Sequence, residues 1–211
     1  MKHFFLSTNW PMLFICIYLL IFIFIIYRGK KNFSSLVKTI KENQSNPRAI
    51  LACVERYIKQ NPLSINNSTL RVSTIPILIF LGEKEKLQKC IQRIRRGDIL
   101  ETAADSFLTA LFLLKECHYD KEYISLKKKS VHYKPFEGAM GLLIQETIDI
   151  EHLPEELLSS GSKAQKGIAA YYQGVFYWQQ EDFETANKQF ELVKQNLPEI
   201  NPLLKQKGYA E

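Results

Sequence analysis

No charged side chain stands between Phe4 and Tyr27, and glycine is scarce throughout, with nine in 211 residues. The few glycines do not fall in the spacings of the loops that cradle phosphates. There is no G-x-x-x-x-G-K-[ST], no G-x-G-x-x-G and no G-x-S-x-G nucleophile elbow. Gly138-Ala-Met-Gly141 is too short for a phosphate loop and reads as close helix packing or a bend. Cysteine is also sparse. Cys16, Cys53, Cys90 and Cys117 are widely and irregularly spaced. No C-x-x-C pair occurs. These cysteines read as small apolar residues in reduced form. Histidine is confined to His3, His118, His132 and His152. Cys117-His118 with His132 is the one grouping of metal-ligand types. Adjacent residues point in different directions on a helix and no fourth ligand is evident, so no metal is expected. Glu155-Glu156 and Glu181-Asp182 are carboxylate pairs near expected helix starts, where the helix dipole accounts for them better than acid/base chemistry does. The sequence therefore predicts no catalytic residues and no cofactor.

The uncharged run carries the first positive signal. As a helix, Phe4–Tyr27 would reach about 36 Å at 1.5 Å per residue, enough for a hydrocarbon core of about 30 Å. Residues 11–27 are assigned as a transmembrane helix, with Trp10 and Tyr27 at its two ends, where amphipathic rings favour the interface. Arg28, Lys30 and Lys31 follow at once, then Lys38 and Lys41, against Lys2 alone ahead. That bias places residues 1–10 outside and the large domain in the cytoplasm. A cleaved signal peptide needs a small-residue site after the apolar run, and Ile-Ile-Tyr-Arg-Gly-Lys-Lys offers none.

Charge falls along the chain. Residues 28–82 carry nine basic and two acidic side chains, and residues 135–160 carry six acidic and no basic. The basic segment 28–46 adjoins the expected membrane helix, so anionic lipid head groups are its simplest partner. Arg93, Arg95, Arg96 and Lys127-Lys128-Lys129 are short clusters on mixed-charge helices. They read as solvated faces, and no nucleic-acid partner is expected.

Apolar residues recur at helical spacing through the rest. Helices are predicted near 33–43, 48–60, 69–81, 84–96, 99–117, 121–129, 136–149, 164–180, 183–196 and 200–207. In the third, Pro76 is expected to kink or break the helix, and the β-branched run around it could also pass for a strand. Short polar turns at Gly82-Glu-Lys, His118-Tyr-Asp120 and Gln180-Glu-Asp182 join three pairs of helices. Residues 150–163 read as an irregular connection.

Gly174, Tyr177, Ala186, Phe190 and Pro198 keep the spacing of one tetratricopeptide (TPR) repeat over residues 167–200. The chain resembles that family there, over about a sixth of its length. Ala170 and Gln173 depart from the family's Trp and Leu. The resemblance implies an α-solenoid, with residues 47–160 as a degenerate repeat-like region and 161–211 as the repeat plus a C-terminal capping segment. Gly174 and Ala186 would let two helices approach, Tyr177 and Phe190 would fill the space between them and a neighbour, and Pro198 would stop the second helix. The family's inner face commonly binds a peptide, which here implies a partner-binding set of Ile168, Tyr171, Val175, Trp178 and Gln179. Tyr171, Val175 and Trp178 share one helix face, and the same stripe is also what a core looks like. The Lys and Asn that grip a terminal carboxylate in some members are missing.

These readings predict an all-α, single-pass membrane protein whose cytoplasmic domain binds or recruits a protein partner. Two alternatives belong to other classes: a chaperone-like accessory of protein export with its domain outside, and a membrane-tethered enzyme with an unfamiliar site. The basic residues after the anchor oppose the first, and the missing motifs oppose the second.

Overall fold

The computed structural model describes residues 31–43, 46–62, 64, 66–95, 103–129 and 161–209. Every regular element among them is a helix, so the fold is all-α. The expected transmembrane helix 11–27, Arg28 and Lys30, the helix expected at 136–149 and most of the connection 150–163 lie outside the described residues. Within the described residues no helix is long and apolar enough to cross a membrane.

The described residues fall into two compact units that part between Ser64 and Ile65. In the first, residues 31–42 form α1 and Pro47–Gln60 form α2. Asn46 starts α2, its side chain accepting a hydrogen bond from the Ala49 amide, and Pro47 follows where no amide hydrogen is needed. Tyr57 meets Phe33 edge-on at 6.0 Å, and Asn32 Nδ2 donates to Asn61 Oδ1 at 3.1 Å.

The second unit is a set of helical hairpins. The first pairs α3 (Asn66–Phe80) with α4 (Lys84–Gln92), the second α5 (Ala104–Glu116) with α6 (Asp120–Lys127), and the third α7 (Lys163–Gln179) with α8 (Phe183–Asn196). A 3-10 turn, Pro198–Ile200, leads into a short final helix, α9 (Asn201–Lys207). The opening helices lie side by side in the order α3, α5, α7, and α4 packs beside α6. Helix α5 is buried on every side from Phe107 to Leu114, because it has neighbours all round. Each large side chain so enclosed is worth about 1.5–3 kcal/mol.

Pro76 does not break α3. The helix runs through it from Asn66 to Phe80, and no strand forms. Burial explains the outcome. Ile75, Pro76, Leu78 and Ile79 all lie in the core, so packing outweighs the one ladder bond that the ring removes. Helix α4 ends at Gln92, short of the expected 96.

One turn recurs. Gly82, His118 and Glu181 each follow the opening helix of a hairpin with a left-handed backbone, at φ 69°, 60° and 63°. The next residue's amide bonds five back in each case, Glu83 to Leu78 O, Tyr119 to Leu114 O and Asp182 to Tyr177 O, at 2.8–3.0 Å. The second helix then begins one residue on. This is the Schellman ending, and it makes the three hairpins equivalent in register. Gly208, at φ 76°, ends α9 in the same way, with the Tyr209 amide on Leu204 O at 2.9 Å.

Candidate functional site

The third hairpin is built to hold a large ring between its helices. Ser162 and Gln165 form a reciprocal cap at the start of α7, and Asp182 caps α8 through the Thr185 amide at 3.1 Å. Hydrogen bonding from Thr185, first by its side chain and then by its amide, holds the Asp182 carboxyl below its ordinary pKa. A Cβ on Gly174 would stand 2.5 Å from Phe190 Cε1, so the missing side chain is the space the ring fills. Ala186 is fully buried on the facing helix. A Cβ on Gly167 would stand 2.6 Å from Leu197 Cβ, so a second glycine admits the end of α8. Helix α8 stops at Asn196, and Pro198 opens the turn beyond it.

The five residues of the expected partner-binding face divide. Ile168 and Tyr171 are closed, at 3% and 2% exposure. Val175 and Trp178 are half-buried and Gln179 is exposed. Tyr171 meets Phe112 of α5 edge-on at 4.9 Å. Its hydroxyl donates to Glu116 Oε2 at 3.0 Å, and that of Tyr172 donates to the other oxygen, Oε1, at 3.4 Å. One carboxylate at the end of α5 thus ties down two tyrosines of α7. Burial, and then the Glu116 charge, push both phenols above their ordinary value of 10.0.

Trp178 lies further along α7, against rings of α8 and the C-terminal segment. It meets Phe183 at 4.9 Å, Phe190 at 6.2 Å and Tyr209 at 5.4 Å. Tyr209 also meets Tyr171 at 6.4 Å. Tyr171, Trp178 and Phe190 therefore surround one side chain from the C-terminal segment. The sequence reading did not single out Glu116, Tyr172 or Tyr209. The Gly208-Tyr209 pair carries the only signal for the last, a glycine at a helix end followed by an aromatic residue.

A cleft of about 530 Å³ opens beside this cluster, lined by Ile79, Gly82, Glu116, His118, Leu203 and Lys207 among others. It lies where the turns of the first two hairpins meet α9. Burial, with Glu116 adding and Lys207 opposing, raises the Cys117 thiol. A thiol so held is protonated at neutral pH and a poor nucleophile. His118 is exposed in the turn, while His132 lies outside the described residues. Arg93 and Arg95 are exposed at and beyond the end of α4, and Arg96 lies outside the described residues. The half-buried Arg71 is lowered by burial first, and further by Arg93 and Arg95. The cluster as a whole offers aromatic faces, hydrogen-bonded phenols and an open cleft, which suit binding.

The chain matches no family model, no curated protein and no solved structure.

Proposed function

We propose that this protein is a single-pass membrane protein whose cytoplasmic domain is a TPR-like α-solenoid that binds or recruits a protein partner at the membrane surface. The observation that carries the reading is the repeated hairpin. Three helix pairs share one left-handed turn, and their opening helices lie side by side. Repeats of this kind stack into extended surfaces suited to peptides and protein segments. The anchor and its orientation rest on the uncharged run Phe4–Tyr27 and on the basic residues Arg28, Lys30 and Lys31. Half-buried Val175 and Trp178, with exposed Gln179, mark where a partner would meet α7.

Site-specific photo-crosslinking in intact membranes tests this. A benzophenone amino acid at Gln179 should yield a discrete adduct with another protein, and one at Lys188, exposed on α8, should not. Absence of an adduct at Gln179, or the same adducts at both positions, would retire the recruitment reading at this face.

A further inference from the structure

We propose that Tyr171, Trp178 and Phe190 form a receptor for an aromatic side chain carried just beyond a short apolar helix, and that the chain's own segment Asn201–Tyr209 fills it in cis. The consequence for partner capture rests on the recruitment reading above. A partner segment of the same chemistry gains the site by displacing the chain's own.

Four observations point to a receptor and its occupant. First, the Tyr209 ring lies parallel to Phe190, 5.0 Å away and 9° from coplanar, while Trp178 and Tyr171 meet it edge-on. A ring held on one face and at its edges satisfies the aromatic quadrupoles better than a second flat stack would. Second, Tyr209 is fixed by its backbone. Gly208 adopts the left-handed conformation and the Tyr209 amide bonds Leu204 O, which fixes the backbone that carries the ring. Third, its hydroxyl has no hydrogen-bond partner among the described residues. Shape and stacking hold the residue, so Phe or Trp would serve as well. Fourth, α9 contributes a buried pair, Leu203 and Leu204, with Lys205 and Lys207 exposed.

The occupant is a small element. Its helix spans seven residues, Asn201–Lys207, too few to persist alone in water. The adjacent cleft of about 530 Å³ adds room for a segment longer than the chain's own. The partner chemistry follows from the occupant: two adjacent leucines on a helical turn, with an aromatic residue five positions after the second, as Tyr209 follows Leu204.

The test uses the full chain in lipid nanodiscs and a fluorescein-labelled synthetic peptide of residues 200–211, read by fluorescence anisotropy. Tyr209→Ala should bind the peptide at least tenfold more tightly than the unaltered chain, because the ring's place is vacated and only Leu203 and Leu204 still hold the chain's own segment. Tyr209→Phe should behave as the unaltered chain. A peptide with its tyrosine changed to alanine should lose the gain. Equal affinity for the unaltered and Tyr209→Ala chains, or indifference to the peptide's tyrosine, overturns the proposal. If circular dichroism shows that Tyr209→Ala does not fold, hydrogen exchange on the unaltered chain decides. Amides of Leu203–Tyr209 should exchange at least about a hundredfold faster than those of α8, and exchange in step with α8 overturns the proposal. The two readings fail separately. Peptide binding without a Gln179 adduct strikes recruitment and leaves the receptor standing, and the converse strikes the receptor alone.

Discussion

Tyr209 lies flat on Phe190, with ring centroids 5.0 Å apart and planes 9° from parallel. Phe190 in turn sits in the space left by Gly174, where a Cβ would stand 2.5 Å from the ring. The small residue inside the hairpin therefore sets the position of the surface that the C-terminal segment covers. One alteration at Gly174 should be felt at both.

Gly174→Ala should destabilise the domain by about 1–3 kcal/mol, the usual range for an added group in a packed core. Gly167→Ala should cost at least as much. The atom it meets is Leu197 Cβ, at 2.6 Å, which moves only with its backbone. Thermal melts by circular dichroism measure both. Unchanged melting for either would mean that the hairpin does not close as described.

The repeated turn predicts a stabilising change. Glu181 holds φ 63°, a conformation that glycine adopts without the Cβ penalty. Glu181→Gly should raise stability by about 0.5–1 kcal/mol, and Gly82→Ala, at φ 69°, should lower it by about 1 kcal/mol. Opposite shifts in melting temperature are the expected result, and shifts of the same sign would contradict the shared turn.

The hairpins were legible in the sequence because they are local. Apolar spacing, Pro47, Pro198 and the polar turns at 82–84, 118–120 and 180–182 mark helix ends within a few residues. The break expected at Pro76 does not occur, because the buried neighbours Ile75, Leu78 and Ile79 decide the continuity of α3. The inner face was half legible. Spacing placed Tyr171 and Trp178 on one helix face. It could not say that Tyr171 is closed, because its partner Glu116 lies 55 residues away. The left-handed turns at His118 and Glu181 carry no glycine, so nothing local announced them.

Alkaline pH should loosen the domain. Tyr171 and Tyr172 have pKa values raised above 10.0 in the folded chain by burial and by Glu116. Below about pH 10 both states hold these protons, and the tyrosines' contribution is fully present. Above it the unfolded chain releases them first, so stability falls as pH rises, by up to about 1.4 kcal/mol per pH unit for each phenol. Melting temperatures between pH 8 and 11.5 should drop, and Tyr171→Phe with Tyr172→Phe should flatten the drop. A pH profile unaffected by the double substitution would contradict the burial of these hydroxyls.

Glu116→Ala should cost about 1–3 kcal/mol, since it leaves two phenol hydroxyls without their acceptor. Glu116→Gln retains an acceptor oxygen and should cost less. Equilibrium denaturation of the two variants checks the order, and the reverse order would remove Glu116 from its role as the tie between α5 and α7.

The central claim, recruitment of a protein through the face that carries Trp178, is tested most directly by one paired measurement. Trp178→Ala is compared with the unaltered chain for melting and for the Gln179 crosslink in membranes. Loss of the three ring contacts should lower stability by about 2 kcal/mol, leaving a folded domain. The crosslinked adduct should fall by more than tenfold, as expected when an aromatic anchor is removed. A folded Trp178→Ala chain that forms the adduct undiminished would contradict the account.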